Sequence, residues 1–293
     1  MKQLTEPKYT FKDVLNSCAE GMKQKNIKSA FQKNIPHVVT MGHRYKELGS
    51  KGCLFSYPKT KNITKNTIVV GELTKKKLVN LYVLNLRNKE KPARKLYEKL
   101  MASTDEKCPF CGDIGVPKNL DHFLPLAHFP QFSVMPINLI PACRDCNMGE
   151  KGDAFAIQAD KQILHPYLDK NILFNEQWVY ARFVKKGDGA IEYFVNPPEE
   201  WNPIDKKRVN QHFDDFDLAF RYRIEAGKHL SELIAQRDAF YITMKMYVPI
   251  EDFPKVFIDT ILTPVINGNS FINQWKRIMY IALSKSNDFL IPK

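Results

Sequence analysis

Six cysteines stand in the chain, and four of them form two Cys-x-x-Cys pairs, Cys108 with Cys111 and Cys143 with Cys146. A Cys-x-x-Cys turn points two thiolates at one centre, and two such turns complete a tetrahedron around Zn²⁺. The 31 residues between Cys111 and Cys143 exceed the usual zinc-ribbon spacing of roughly 15–20. Something substantial is therefore inserted between the knuckles. No apolar export signal opens the chain, so the expected compartment is the reducing cytoplasm, where paired knuckles read as metal ligands before disulfides. Cys18 and Cys53 read as free thiols packed as small hydrophobes.

The insert holds Asp121-His122 and Asn138, and Asn147 follows the last cysteine directly. A carboxylate and an amide oxygen suit a hard divalent cation. A neighbouring imidazole suits proton abstraction near neutral pH. Hydrolysing a phosphodiester needs both: a base to activate water, and a cation to stabilise charge on the phosphate and the leaving oxygen. Lys118, Arg144 and Lys151 lie near these residues in sequence and are candidates for phosphate contact.

Residues 108–152 resemble the HNH, or ββα-metal, nuclease family. The likeness rests on Asp121-His122, on Asn138 before the apolar pair Leu139-Ile140, and on Cys143-x-x-Cys146-Asn147 followed by Lys151-Gly152. Arg94 to Tyr97 and His165-Pro166-Tyr167 are similar to segments flanking bacterial relatives. The resemblance implies one structural Zn²⁺ on the four cysteines and one catalytic Mg²⁺ or Mn²⁺ on Asp121 and Asn147. It implies His122 as general base and Asn138 as the brace of the loop between the strands, orienting His122 through a backbone hydrogen bond. An amide stands at position 147 where many relatives have a second histidine, which favours Mg²⁺ or Mn²⁺ over a transition metal. Neighbours on a regular strand point to opposite faces. Asp121 and His122 can serve one site only if the chain bends near that strand's end, before Pro125.

Charge and periodicity give the elements that must position this site. Of the formal net charge of +12, residues 1–107 hold the whole excess, with 23 Lys/Arg against 9 Asp/Glu. Such a block suits a polyanion. Residues 11–35 have helical spacing that Pro36 is expected to stop, and residues 36–70 show no strong period. Thr74 is placed to cap a helix from Lys75 to about Leu86, and Pro92 to open another bearing Leu96, Tyr97 and Leu100. The lysines and arginines on this pair form a candidate surface for a nucleic-acid backbone. Beyond residue 153, Trp178–Val184 and Ile191–Val195 read as a hairpin, followed by a helical pattern from about Asp205 through Arg237. The aromatics Trp178, Tyr180, Phe183, Trp201, Phe213, Phe216, Phe220 and Tyr222 read as core. The expected class is α+β: a basic, mainly helical region over 1–103, a zinc-stapled nuclease core over 104–170, and an α+β region of open role over 171–293.

No apolar run approaches the roughly 20 residues of a membrane span, and no Gly-x-x-x-x-Gly-Lys loop suggests a nucleotide cofactor. The expected activity is a metal-dependent endonuclease on DNA that nicks at a single site. By resemblance it leaves 5′-phosphate and 3′-hydroxyl ends and serves in bacterial anti-phage defence with other proteins as partners. Two other readings stay open: a non-catalytic zinc module binding nucleic acid or protein, and an RNA-cutting toxin using the same site.

Overall fold

The computed structural model describes residues 1–60, 63–148, 155–185, 187, 189–268 and 271–291. The chain divides into two compact units, Gln3–Lys170 and Met1–Lys2 with Asn171–Lys293.

The first unit opens with α1 (Phe11–Glu20), whose start is fixed by reciprocal bonds between Thr10 and Asp13. Helix α2 spans Lys25–Ser50 and contains Pro36. The expected stop at Pro36, and the irregular stretch after it, are thus corrected. A proline inside a helix costs about 3 kcal/mol. Phe31, Ile35, Val38 and Tyr45 are buried on one side of α2, each contributing roughly 1.5–3 kcal/mol, so burial wins.

A short ribbon, β1 (Ile68–Val70) and β2 (Leu73–Thr74), leads into α3 (Lys75–Asn80), where the Thr74 hydroxyl accepts from the Lys77 N–H. The expected single helix to Leu86 breaks at Leu81 into a wider π turn over Leu81–Leu86. Helix α4 (Arg94–Ala102) buries Leu96, Tyr97 and Leu100, the face its spacing indicated. Strands β3 (Asn119–His122) and β4 (Leu139–Ala142) then pair antiparallel, with Asn119 opposite Ala142 and His122 opposite Leu139. Helix α5 (Arg144–Met148) follows directly. One hydrophobic cluster joins Val14, Leu15, Leu78, Leu81 and Leu100 to Leu120, Val134 and Leu139. The basic helices and the strand pair are therefore built on a common core.

The second unit carries α6 (Ile172–Asn175) and the hairpin β5 (Val179–Val184) with β6 (Ala190–Val195), paired from Val179 opposite Val195 to Val184 opposite Ala190. Lys186 and Asp188 of the expected turn lie outside the described residues. The expected long helix is two, α7 (Pro203–Asp215) and α8 (Leu218–Met244), broken where Asp217 adopts a φ of 48°. Short helices α9 (Phe253–Phe257) and α10 (Thr263–Asn267) precede α11 (Trp275–Ser284) and α12 (Asn287–Leu290). Helix α8 packs on β6 and α11 on β5. Trp178, Trp201, Phe213, Phe216 and Tyr222 are core, as expected, whereas Phe220 is half-exposed.

Both units combine helices with small antiparallel sheets, so the fold is α+β. No helix among the described residues is long and apolar enough to cross a membrane.

Candidate functional site

The two cysteine pairs converge. Cys108 and Cys111 lie in the turn before β3, Cys143 ends β4, and Cys146 sits one helical turn on in α5. All four are buried, and their sulfur atoms lie within 4.8 Å of one another. The Cys111 and Cys143 sulfurs are 3.9 Å apart, close to the roughly 3.8 Å edge of a tetrahedron with 2.3 Å Zn–S bonds. The turn is shaped for this. Cys108 N–H donates to the Gly115 carbonyl at 2.8 Å, and Gly115 N–H donates to the Cys111 sulfur at 3.3 Å. A side chain at Gly115 would collide with the Cys143 sulfur. Gly112 holds a φ of 59°, the left-handed conformation that favours glycine.

The four thiols perturb one another. Donation from Cys108, Cys111 and Cys146 drives the Cys143 thiol far below its ordinary value, while the same crowding drives Cys146 up. Four buried sulfurs cannot all ionise side by side without a cation. The cluster could bind a metal such as zinc.

At the other end of the hairpin stand Asp121 and His122, both in β3 and both about nine-tenths buried. His122 Nε2 lies 2.8 Å from the Ser133 carbonyl oxygen. A carbonyl only accepts, so Nε2 carries the hydrogen of this bond. Tyr82 meets the ring edge-on at 4.6 Å between centroids. Burial pushes the Tyr82 phenol up, with smaller contributions from Tyr97 and from the Asp121 carboxylate. Tyr82 thus borders both residues. Strand β3 ends at His122, where a bend over Phe123-Leu124 begins.

Asn138 is fully buried and knits the 123–138 loop. Its Oδ1 accepts from Leu124 N–H and from the Tyr45 hydroxyl, each at 2.8 Å. Its Nδ2 donates to the carbonyls of Leu124 and Phe132 at 3.2 and 3.3 Å. Its own carbonyl takes the N–H of Phe123 at 2.8 Å. The backbone bond of Asn138 therefore goes to the neighbour of His122, and the ring's bond goes to Ser133. Behind Asn138 a chain of neutral bonds continues. Because the Tyr45 hydroxyl spends its hydrogen on Asn138, its oxygen accepts from His165 Nε2 at 3.1 Å, and His165 Nδ1 accepts from Tyr167 N–H at 3.2 Å.

Asn147 stands on α5, and its Nδ2 donates to Asn119 Oδ1 at 2.8 Å. Asn119 is two residues before Asp121 on β3, so the two share a strand face about 7 Å apart. Lys118 and Arg144 are exposed. Lys118 N–H pairs with the Ala142 carbonyl at 2.9 Å, which sets this lysine at the cysteine end of β3. His122 is four residues away, about 13 Å along the strand. Lys151 lies outside the described residues. The residues that sequence reasoning missed are Tyr45, Tyr82 and Ser133, and it placed His165 only in a flanking segment. A local motif could not reveal them, since Tyr45 meets Asn138 across 93 positions.

Fold and site define an α+β protein with a buried four-cysteine cluster between a strand pair and a short helix. No family model matches the chain, and no solved structure matches it. The chain is 50% identical over 292 residues to Protein ea31 of Escherichia phage lambda, a match covering 99% of each. It belongs to the family of that phage protein.

Proposed function

We propose that the chain is a metal-dependent endonuclease of the HNH type that hydrolyses DNA. The observation that carries the reading is the bond from His122 Nε2–H to the Ser133 carbonyl. It orients a neutral imidazole with Nδ1 as the base, beside Asp121, within a strand–loop–strand–helix order stapled by four cysteines. In this reading His122 takes a proton from the attacking water, and Asn138 holds the loop that carries Ser133. Asp121 and Asn147 offer hard oxygen donors, and the amide nitrogen of Asn147 is occupied by Asn119 while its oxygen is the donor atom. These two residues would hold Mg²⁺ or Mn²⁺, which supplies neutralisation of charge at the phosphate. The basic helices of the first unit would grip the backbone. Lys75 has its ammonium held in place by a bond to the Ala127 carbonyl at 2.8 Å.

The phage protein in the family supports a reading in which the activity acts on DNA inside a bacterial cell. A defence role, with other proteins as partners, belongs to the same proposal.

The burial of Asp121 and His122 favours a second reading, a zinc-stabilised module that binds nucleic acid or protein without cutting. A supercoiled-plasmid assay separates the two. The nuclease reading expects relaxed circles before linear product with Mg²⁺ or Mn²⁺, and none with EDTA or with His122→Ala. Metal-independent, His122-independent binding without cleavage selects the module. Cleavage of transfer RNA but not plasmid selects an RNA-cutting toxin.

A further inference from the structure

Away from the strand pair, the first unit carries a groove of about 390 Å³ between the start of α2 and the π turn. Its floor is apolar, with Phe31, Leu73 and Leu81 buried beneath it. Two large side chains stand at its edges half in water, Ile27 at 49% and Leu84 at 50% exposure. Three lysines line it, Lys23, Lys77 and Lys91, and no acidic residue does. Two of these ammonium groups are tethered, Lys91 to the Gly21 carbonyl at 2.6 Å and Lys77 to the Glu72 carbonyl at 3.2 Å. Each ammonium has three donors, so the tether holds the charge beside the groove and leaves two donors for another acceptor.

We infer that this groove docks an acidic amphipathic helix of a partner protein, with aliphatic side chains on the apolar floor and carboxylates against the three lysines. The volume suits two or three aliphatic side chains at helical spacing. The lining charge is of one sign, which selects an acidic partner and rejects a basic one. Nucleic acid fits less well, because a phosphate backbone gains nothing from Ile27 and Leu84 and no exposed aromatic is available in the lining for a base to stack on. Helix-in-groove recognition of this kind is read through anchors spaced three and four residues apart. The inference does not rest on catalysis at His122, and it gives Lys77 to a protein partner in place of the nucleic-acid backbone.

The test is a pair of fluorescein-labelled 18-residue peptides with leucine at positions i, i+3, i+4 and i+7. The remaining positions are glutamate in one peptide and lysine in the other. Titration of the full chain by fluorescence anisotropy is expected to show saturable binding of the glutamate peptide and at least about tenfold weaker binding of the lysine peptide. Leu84→Asp and Lys77→Glu are each expected to weaken the glutamate peptide about tenfold or more, with zinc content and melting temperature unchanged because both positions are exposed. No binding of the glutamate peptide, equal binding of both peptides, or binding indifferent to Leu84→Asp overturns the proposal. So does displacement of the peptide by duplex DNA in a way that Leu84→Asp does not affect, which assigns the groove to nucleic acid. Self-association of the chain abolished by Leu84→Asp likewise overturns it, in favour of a second copy as occupant.

Discussion

The two ends of one strand pair are held by different physics. At the cysteine end, four sulfurs within 4.8 Å pull the turn before β3, the end of β4 and the start of α5 to one point. That arrangement could hold a metal such as zinc, since thiolates side by side in a buried pocket repel each other without a cation. At the His122 end hydrogen bonds carry the cohesion, one of them from the His165 backbone N–H to the Asp169 carboxylate at 2.6 Å. Asn138, Tyr45 and His165 form a run of neutral hydrogen bonds in which each donor and acceptor has an assigned role. The first device is local and built from groups that could bind a metal. The second is distributed over α2, the 123–138 loop and the segment after α5, and each bond is worth only about 1 kcal/mol net.

The strongest way to break this comparison is at the sulfurs. Cys143→Ser is expected to lose zinc and, with it, the cooperative melting of the first unit, since metal binding to such clusters carries on the order of 10 kcal/mol. Atomic absorption on the purified chain, with near-UV circular dichroism, checks both. Acid should act like the mutation. Protons compete with the metal for the thiolates, so zinc is retained near neutral pH and released as pH falls. Metal retention by Cys143→Ser, with an unchanged melt, would show that the turn stands without its staple. Next in size comes His122→Ala, which removes the proposed base but none of the cysteines. Plasmid cleavage is expected to fall by about 10²–10⁴-fold, or some 3–5 kcal/mol of barrier, while zinc stoichiometry is kept. If cleavage persists, the imidazole is a packing residue against Tyr82.

How legible these ends were in the sequence differs for the same physical reason. Cysteine pairs announce a metal through chemistry and spacing alone, and the four-cysteine convergence was readable from Cys108 to Cys146. The strand pair could also be read as far as its motif extended. What surrounds His122 could not. Tyr82, Ser133 and Tyr45 come from the π turn, the loop interior and a helix that sequence reasoning cut short at Pro36. Local propensity placed a stop there, and the burial of Phe31, Ile35, Val38 and Tyr45 overrode it. Lys118 shows how far sequence closeness reaches. It stands three residues before Asp121, and an extended strand turns that into about 10 Å.

A smaller effect separates loop bracing from catalysis. Asn138→Ala leaves Leu124 N–H, the carbonyls of Leu124 and Phe132, and the Tyr45 hydroxyl without their partner. Buried groups left this way cost about 1–3 kcal/mol each, partly recovered by relaxation, so a loss of about 3 kcal/mol in urea unfolding is expected. Zinc content should be unchanged, because no sulfur contact involves this residue. Loss of zinc with Asn138→Ala would mean that the two ends of the hairpin fold as one cooperative device.

Tyr45→Phe probes the same network most gently. It removes one hydroxyl that gives a bond to Asn138 Oδ1 and takes one from His165 Nε2. The ring and its edge contact with Phe132, 4.9 Å between centroids, remain. Asn138 Oδ1 keeps Leu124 N–H, so the expected loss is about 1–2 kcal/mol. The pH dependence gives the sharper signature. Burial pushes the Tyr45 phenol well above its ordinary value of 10.0. Above pH 10 the unfolded chain therefore sheds this proton while the folded chain keeps it, and stability falls as pH rises. One such proton contributes up to about 1.4 kcal/mol per pH unit. Tyr45→Phe should make the alkaline limb of a stability–pH curve shallower by up to that amount and leave the acid limb, set by the sulfurs, where it was. A change confined to the acid limb would place the control of both ends at the metal.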